Sequence, residues 1–415
     1  MKRETLISII LDQQDMFRNL KYIPRLRDDS ILKDNEIVVI SGIRRCGKST
    51  LLHEIRQNNR NKDYFINFDD DRLIHFTVDD FQALLEVFVE LFGKQSTFYF
   101  DEIQNIKGWE RFVRRLYDQG NKIFITGSNA SMLSKELGTH LTGRYYQLEL
   151  YPFSFSEFLA LKKVTYSLND FYKTETKGLL KNRFNEYFKL GGFPAYLNFG
   201  NRLYLKSLYE SILYRDVMVR NKLTNEQEIL ELVYFLSSNI AKPITYNSLS
   251  KVINVQNPTT VKNYLRHLED TYLIFLVNKF DYALKKQLIN PKKVYLIDNA
   301  LSHVLGFHTS EDNGRLLENM VFIELKRRGK EIFYHRQKYE CDFLVREKNQ
   351  IVYAIQVSWS LHESETRERE LRGLKEAMKV YNLNTGLILT ENDEETIHTD
   401  QYTIEILPVW RWLLH

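Results

Sequence analysis

The stretch "EIVVISGIRRCGKST", residues 36–50, decides the fold of the first part of the chain. Its apolar beginning predicts a buried β-strand that ends at Gly42, and the apolar spacing in "STLLHEI" predicts a helix after Lys48. Between the strand and the helix, the residues match the spacing GxxxxGK(S/T) without a gap. A strand, a glycine-rich loop and a helix in this order are the context in which this motif binds phosphate. The sequence therefore predicts a nucleotide-binding loop on a parallel α/β sheet.

The chemistry of such a loop explains its residue types. Glycines let backbone N–H groups close around phosphate oxygens, and the helix N-terminus adds its dipole. Lys48 is expected to reach the β- and γ-phosphates, and the hydroxyl of Ser49 is expected to ligate Mg²⁺. The predicted ATP-binding residues are Gly42, Cys46, Gly47, Lys48, Ser49 and Thr50.

Arg44 and Arg45 occupy variable positions of the loop, whose side chains mostly point away from a nucleotide. Two interpretations are open. Either the arginines face solvent, or one of them pairs with an acid of "FDDDR" (residues 68–72) or of a second domain. The pairing is favoured because a planar guanidinium suits a carboxylate better than free solvent.

A second motif follows in "STFYFDEIQN", residues 96–105, where an apolar and aromatic run leads into Asp101 and Glu102. This is the Walker B form, and its place downstream of a P-loop gives it weight. Asp101, at the end of the predicted strand, is expected to hold Mg²⁺ together with Ser49. Glu102 is expected to polarise the attacking water and is therefore a catalytic candidate.

Two further catalytic candidates lie next to predicted strands. "NKIFITGSNASML" predicts a buried strand, after which Ser128 or Asn129 is placed to touch the γ-phosphate or the water. Either residue is also suited to cap the helix predicted in "ASMLSKEL", and the functional role is favoured for Asn129 only. Arg144, before the fifth strand, is expected to reach the γ-phosphate of its own or a neighbouring subunit's nucleotide. A structural salt bridge is the competing interpretation of Arg144.

Several stretches carry a resemblance to a known family: "GIRRCGKSTLL", "FYFDEIQ", "ITGSNASML", "GRYYQLELYPFSFSEF" and "GGFPAYL". The chain resembles the large prokaryotic family of AAA-type ATPases that are fused to a C-terminal domain of unknown function. The resemblance implies an α/β fold with a five-stranded parallel P-loop sheet and flanking helices, and it implies ATP and Mg²⁺ as cofactors. The predicted domains are an ATPase core (1–160), a helical lid or connector (161–224), a winged helix (225–307) and a nuclease-like α/β domain (308–415).

Residues 225–307 predict three helices and a hairpin, which is the order of a winged helix. In the third helix, "NPTTVKNYLRHLEDTYLI", the apolar spacing places Val261, Leu265 and Leu268 on the inner face. Basic residues on the outer face and in the hairpin are the kind that contact duplex DNA. The predicted DNA contacts are Lys262, Arg266, Lys285 and Lys286, with Lys292 and Lys293 nearby. A winged helix that binds a protein partner or its own lid is the alternative.

The C-terminal order of one helix followed by three strands resembles the restriction-endonuclease-like fold. The metal site of that fold uses an acid on the helix, an Asp, and a (Glu/Gln)-x-Lys pair on the next strand. At those positions the chain has Glu318, Asp342, Gln356 and Ser358. A serine cannot supply the charge with which the lysine positions the nucleophilic water. The resemblance therefore implies a degenerate nuclease site on an inactive scaffold, unless Lys338 or Arg336 substitutes from the preceding hairpin; an active metal-dependent nuclease is the less favoured alternative.

Length and composition narrow the class of protein. A chain of 415 residues predicts two or three domains, and 43% hydrophobic with 27% charged residues is typical of a folded, soluble protein. The 2 cysteines fit a reducing cytosol. No apolar run approaches the roughly 20 residues of a membrane helix, and the start "MKRETLISIILDQQDMF" lacks the pattern of a signal peptide. The expectation is a cytoplasmic protein that does not bind membranes.

These features predict an ATP-hydrolysing protein whose nucleotide state moves the winged-helix and nuclease-like modules, on duplex DNA or on a protein partner. A nucleotide-gated switch with negligible turnover is the alternative from a different functional class. The presence of Glu102 favours hydrolysis, because a switch needs no water-activating carboxylate.

Overall fold

The computed structural model describes residues 1–15, 22–27, 29–32, 34–58, 63–129, 138, 141, 143–307 and 312–415. The chain forms two compact units. The first consists of Met1–Leu150 with Asp270–Tyr272, and the second of Tyr151–Glu269 with Leu273–His415. In the described part of the chain, no helix is long and apolar enough to cross a membrane.

The first unit is built on a parallel sheet. Its strands are β1 (Ile37–Ser41), β2 (Tyr64–Asn67), β3 (Thr97–Asp101), β4 (Lys122–Gly127) and β5 (Tyr145–Glu149). Its α-helices are α1 (Arg3–Asp15), α2 (Lys48–Asn58), α3 (Phe81–Phe92) and α4 (Trp109–Asp118), with 3₁₀ helices at Asp29–Leu32, Asp71–Leu73, Val78–Asp80 and Ile103–Asn105.

Among the described residues, the five strands follow the order β2-β3-β4-β1-β5, and every pairing between them is parallel. The strands β1 and β3 are buried over their whole length, which requires helices on both faces of the sheet. The predicted five-stranded α/β fold is therefore confirmed. Ligands of such sheets bind beyond the carboxyl ends of the strands, and the loops after β1, β3 and β4 begin at that edge.

The second unit begins with a helical segment. Its helices are α5 (Phe155–Leu161), α6 (Thr174–Leu190), α7 (Pro194–Phe199), α8 (Arg202–Ser211) and a π-helix at Ile212–Val219, with a 3₁₀ helix at Leu168–Tyr172. Aromatic side chains fill its interior: Phe155 packs against Phe184 and Tyr187, with ring centroids 5.8 and 5.5 Å away.

A three-helix segment with a small sheet follows. Its elements are α9 (Glu226–Ser238), β6 (Pro243–Ile244), α10 (Tyr246–Val252), α11 (Pro258–Asp270), β7 (Ile274–Asn278), α12 (Leu284–Ile289) and β8 (Lys292–Leu296). Asn257 caps α11, because its Oδ1 accepts a hydrogen bond of 2.9 Å from the N–H of Thr259. The predicted inner face of α11 is confirmed by the burial of Val261, Leu265 and Leu268.

In the described chain, the strands of this segment form an antiparallel sheet in the order β6-β8-β7. The hairpin between β7 and β8 carries the short helix α12 instead of a simple turn. The apolar side chains of α12 face outward, which no amphipathic pattern foretold: Leu284, Leu288 and Ile289 are 60 to 70% exposed.

The C-terminal segment is a mixed sheet with helices. Its strands are β9 (Glu331–Arg336), β10 (Glu340–Glu347), β11 (Gln350–Val357), β12 (Thr385–Thr390), β13 (Glu395–His398) and β14 (Thr403–Pro408). Its helices are α13 (Asn299–Leu305), α14 (Asn313–Arg327), α15 (Ser364–Val380) and α16 (Val409–Trp412). Within the described residues, the strand order is β13-β14-β12-β11-β10-β9.

The three-helix segment and the C-terminal sheet share one core. The N–H of Phe280, just after β7, donates a hydrogen bond of 2.9 Å to the carbonyl of Tyr334 in β9. The ring of Phe280 packs at 5.3 Å from Phe333 and at 5.4 Å from Tyr381. The two segments that the sequence predicted as separate modules are thus packed into a single body, while the exact domain bounds stay a prediction.

Candidate functional site

The loop after β1 has the shape that its two glycines allow. Gly42 has φ +148°, and a Cβ at this position would lie 2.1 Å from the carbonyl oxygen of Leu150. Gly47 has φ +105°, a conformation that other residues rarely adopt. The loop therefore needs both glycines at the spacing that the sequence shows.

Lys48 and Cys46 are both buried in this loop. The ammonium of Lys48 donates a hydrogen bond of 3.2 Å to the carbonyl of Ile43 and lies 3.7 Å from Glu102 Oε1. Cys46 is completely buried, and this burial raises the pKa of its thiol. Cys46 is thus an apolar filler, whereas Lys48 lies next to the carboxylate expected to activate water. Thr50 lies in the first turn of α2.

Two arginines contact the loop or its neighbours. Arg44 Nη2 lies 3.9 Å from Asp69 Oδ2, which confirms the favoured pairing with "FDDDR". Arg25 was missed: it is buried, and its Nη1 donates a hydrogen bond of 2.8 Å to the carbonyl of Cys46. No spacing in the sequence distinguishes Arg25, because it reaches the loop from a segment before β1.

Asp101 ends β3 and lies directly beside Ser49. Its Oδ1 accepts hydrogen bonds from the hydroxyls of Ser49, at 3.1 Å, and of Thr126, at 2.5 Å. Its Oδ2 is buried and has no hydrogen-bond partner among the described residues. Burial and the negative charge of Glu102 raise the pKa of Asp101 to about 6. The hydroxyl of Ser49 and the carboxylate of Asp101 are oxygen donors of the type that Mg²⁺ prefers, so these two residues fit the implied metal.

Glu102 is held in an unusual backbone conformation. It has φ 50° and ψ 40° in the left-handed region, where a non-glycine residue costs on the order of 1–3 kcal/mol. Its N–H donates to Thr126 Oγ1 at 2.9 Å, and its Oε2 accepts a hydrogen bond of 2.5 Å from Gln104 Nε2. Thr126 is therefore a functional candidate that no motif in the sequence marked, and Gln104, within the stretch that carries Asp101 and Glu102, is another.

The residues after β4 join the same site. The hydroxyl of Ser128 donates a hydrogen bond of 3.4 Å to Glu102 Oε2, so Ser128 contacts the catalytic candidate. Asn129 is buried beside it. The competing role as a helix cap concerns "ASMLSKEL", whose residues 130–137 lie outside the described residues.

Arg144 lies at the amino ends of the parallel strands, whereas the P-loop lies at their carboxyl ends. Its carbonyl accepts a hydrogen bond of 2.9 Å from the N–H of Ile37, which is the first residue of β1, whereas the P-loop follows the last one. Its guanidinium donates to Asp118 Oδ1 at 2.7 Å and lies over the ring of Tyr117. The expectation that Arg144 reaches the nucleotide of its own P-loop is wrong, because the sheet separates the two. The salt bridge weighed as the alternative is present.

The predicted DNA contacts divide into exposed and buried lysines. Lys262, Arg266, Lys285 and Lys286 are exposed. Lys292 is half-buried and donates a hydrogen bond to Asn278. Lys293 is 1% exposed, so the expectation that it contacts DNA phosphate together with the other lysines is wrong for this residue. All residues of β8 from Lys293 to Leu296 are buried, so both faces of the strand are covered there.

The residues predicted as a degenerate nuclease site are brought together in the second unit. Glu318, Asp342, Gln356 and Ser358 line one cleft of about 900 Å³, with Arg336 and Lys338 on the same lining. The charge partner at this place is Lys293, which reaches in from β8. Its Nζ lies 2.8 Å from Asp342 Oδ1 and 3.0 Å from Glu318 Oε1, and 2.8 Å from Glu340 Oε1.

One or more carboxylate or amide oxygens of each of three candidate metal ligands are already bonded within the chain. Glu318 Oε1 also accepts from the hydroxyl of Tyr295 at 2.6 Å, and Asp342 Oδ2 accepts from the N–H of Val357 at 3.0 Å. Gln356 Oε1 accepts from the N–H of Asp342 at 3.2 Å. In the part of the chain that the structure describes, no three acidic, histidine or cysteine side chains form a metal-binding group. These residues therefore do not fit the metal that the nuclease resemblance implies.

Burial of this centre changes the acidity of its members. Burial, followed by the negative charge of Asp342, raises the pKa of Glu318 above its usual range, while the Lys293 ammonium opposes this shift. The carboxylates Asp342, Glu318 and Glu340 hold the pKa of Lys293 well above its usual range, against the effect of its burial. The ammonium therefore stays charged at neutral pH although water does not reach it.

Comparison with known proteins divides the chain in three. An AAA domain profile matches residues 34–159, which contain the whole site around Lys48 and Asp101. Profiles of two domains of unknown function match residues 181–311 (DUF8612) and 313–412 (DUF4143). "Uncharacterized protein MJ1544" of Methanocaldococcus jannaschii is 37% identical over 426 residues, which cover 98% of this chain and 94% of that protein. The chain belongs to the family of this protein.

Another family member is an "Uncharacterized protein" of Haemophilus influenzae, which is 31% identical and covers 92% of this chain and 95% of its own length. One similar solved structure is a single-residue variant of Thermotoga maritima RuvB, with 14% identity and a TM-score of 0.29; the match covers 58% of this chain and 81% of RuvB. Another is Aeropyrum pernix ORC2 in its ADP form, with 12% identity and a TM-score of 0.34; the match covers 63% of this chain and 90% of ORC2. The family assignment rests on the full-length relatives, since structural likeness this low carries no argument. The AAA match shows that this chain has a P-loop ATPase-like domain, which supports ATP binding.

Proposed function

We propose that the chain hydrolyses ATP at the site formed by the loop after β1 and the ends of β3 and β4. The single observation that carries this proposal is the contact of Ser49 with Asp101, with the second carboxylate oxygen of Asp101 buried and unpartnered among the described residues. Mg²⁺, when bound by these two residues, neutralises charge on the transferred phosphoryl group. The AAA domain match over residues 34–159 supports the same conclusion.

The remaining roles follow from position. Lys48 neutralises the β- and γ-phosphates, and Glu102 accepts a proton from the attacking water or orients it. Gln104 is a positioning residue, because its amide holds one oxygen of Glu102. Asn129, buried at the end of β4, is suited to donate a hydrogen bond to the γ-phosphate or to the water. Arg144 is left with one functional role, at the nucleotide of a neighbouring subunit.

A second proposal concerns what the ATPase acts on. Residues 226–296 have the order helix, strand, helix, helix, strand, short helix, strand. We propose that this segment is a winged helix with an extra helix in its hairpin, and that it contacts duplex DNA through α11. The observation that favours DNA is the exposure of Lys262 and Arg266 on the face of α11 opposite its buried side chains. In this scheme the nucleotide state moves the three-helix segment and the C-terminal sheet together, because these two segments share a core.

Steady-state phosphate release, measured with Mg²⁺ and with or without duplex DNA, tests both proposals. Sustained turnover that rises with DNA supports an ATPase acting on DNA. A single burst of phosphate without further turnover supports a nucleotide-gated switch instead. Turnover that ignores DNA, together with no DNA binding at low salt, favours a protein partner.

A further inference from the structure

We propose that Lys293 is the resident cation of the carboxylate centre formed by Glu318, Glu340 and Asp342, and that it stands where a nuclease of this arrangement would hold a divalent metal. The centre is then complete without metal. This inference goes beyond the proposed ATPase and does not depend on it.

The ammonium of Lys293 contacts three acidic side chains. It donates hydrogen bonds to Glu318 Oε1, at 3.0 Å, and to Asp342 Oδ1, at 2.8 Å, and it forms an ion pair with Glu340 Oε1 at 2.8 Å. The side chain of Lys293 is 1% exposed. A buried cation of this kind is stable only when charged partners surround it, and here they do.

The lysine arrives from a different part of the chain than the nuclease pattern requires. That pattern places it at Ser358 on β11, but the hydroxyl of Ser358 donates to the carbonyl of Ser360 at 3.0 Å. Lys293 comes from β8, within the residues matched by the DUF8612 profile, whereas its three partners lie within the DUF4143 match. The ion cluster therefore fastens the two matched segments to each other at the cleft.

The contacts of Lys293 with the carboxylates also indicate that it is not a catalytic lysine. A catalytic lysine must direct a proton at the nucleophilic water or at the phosphate. Lys293 has committed its donors to carboxylates, and Tyr295 occupies Glu318 from the other side at 2.6 Å. Entry of a divalent ion would force two cations into one buried carboxylate cluster, which like-charge repulsion opposes.

Terbium binding to the full-length chain tests the proposal, because Tyr295 beside Glu318 is placed to sensitise Tb³⁺ luminescence. Asp101→Asn is introduced into every protein to silence the nucleotide site. In the Asp101→Asn background, we expect Asp342→Asn to leave the Tb³⁺ luminescence unchanged. Adding Lys293→Met is expected to create one saturable Tb³⁺ site, and adding Asp342→Asn to that variant is expected to remove the site.

The matched control is Lys292→Met, which removes the neighbouring lysine that bonds Asn278 outside the cluster. This variant is expected to bind Tb³⁺ no better than the parent protein. Thermal unfolding gives a second readout. In EDTA, the Tm of Lys293→Met is expected to lie several degrees below that of the parent protein. Mn²⁺ is expected to restore the Tm of Lys293→Met and to leave the Tm of the parent protein unchanged.

Two results would overturn the proposal. The first is Tb³⁺ or Mn²⁺ binding by the parent protein that Asp342→Asn abolishes, since the carboxylates would then hold metal despite the lysine. The second is a folded Lys293→Met, shown by circular dichroism, that gains no site. If Lys293→Met does not fold, the comparison of parent with Asp342→Asn decides alone. The neutral variant Lys293→Met/Glu318→Gln/Asp342→Asn is still expected to fold, because the charges are removed together.

Discussion

The hydroxyl of Ser49 donates a hydrogen bond of 3.1 Å to Asp101 Oδ1 and so joins the first turn of the helix after the P-loop to the end of β3. Two residues far apart in the sequence thereby present adjacent oxygen ligands next to the Lys48 ammonium. The chemistry expected of the nucleotide site depends on this arrangement and on the residues that surround it.

Lys48→Ala is expected to abolish ATP binding, because no other ammonium in the described loop is placed to neutralise the β- and γ-phosphates. Isothermal titration with Mg²⁺ and ATP measures the affinity. Lys94→Ala, which removes an exposed lysine of the same unit, is the control and is expected to bind as the wild type does. Equal affinity of Lys48→Ala and wild type would contradict the assigned site.

Glu102→Gln is expected to bind ATP with little change while kcat falls by about 10²–10⁴-fold, the range for loss of a general base. The amide keeps the shape and the contact with Gln104, so the change isolates the charge. Phosphate release and ATP affinity are measured on the same preparation. Hydrolysis at the wild-type rate would show that another residue activates the water.

Arg144→Ala is expected to lower kcat on the order of a thousandfold with little change in ATP affinity, provided that Arg144 serves a neighbouring subunit. Mixing Arg144→Ala with Lys48→Ala protein should then restore activity, since the second protein supplies the arginine and the first the intact P-loop. Asp118→Asn is the matched control: it breaks the ion pair but keeps the guanidinium. An unchanged kcat of folded Arg144→Ala would leave only the salt bridge.

Lys262→Glu/Arg266→Glu is expected to weaken duplex DNA binding without unfolding the segment, because both side chains are exposed. The slope of the logarithm of the DNA-binding constant against the logarithm of the salt concentration should become shallower by about 2. Each of the two phosphates that loses its contact keeps roughly 0.9 counterion that binding would otherwise release. Lys94→Glu serves as a control for net charge. An affinity that does not respond to salt would favour a protein partner.

No cleavage of single- or double-stranded DNA is expected with Mg²⁺, with or without ATP, because position 358 has no lysine and Lys293 is bound to carboxylates. The same assay is run with Mn²⁺. Wild type and Asp342→Ala are purified identically and compared. Cleavage by wild type that disappears in Asp342→Ala would show an active centre, whereas equal cleavage by both would show contamination.

The nucleotide site was predictable because its residues follow local patterns. The apolar runs before Gly42 and before Asp101 predict buried strands, so both residues are expected at the carboxyl ends of those strands. Parallel pairing then brings such ends together. The position of Arg144 was harder to predict from the sequence. An arginine that precedes a strand lies at the strand's amino end, and the register of β5 against β1 is needed to show how far it is from the P-loop.

Lys293 lay beyond any local pattern. It is separated from Glu318 by 25 residues and from Asp342 by 49 residues. On a short strand, alternation does not tell whether a lysine points to solvent or to carboxylates on distant elements. The nuclease pattern places its lysine at the fourth position, on β11, where the chain has Ser358, whereas the positive charge in the fold comes from Lys293 on β8.

The order of synthesis gives this ion cluster a further consequence. As the chain leaves the ribosome, Lys293 emerges before Glu318 and well before Asp342. An ammonium that is buried without partners is costly, so its side chain stays hydrated until β10 has been made. We therefore expect strand β8 to reach its final place only after its own segment has been translated. Residues 226–296 are expected to complete their folding once residue 342 has left the ribosome.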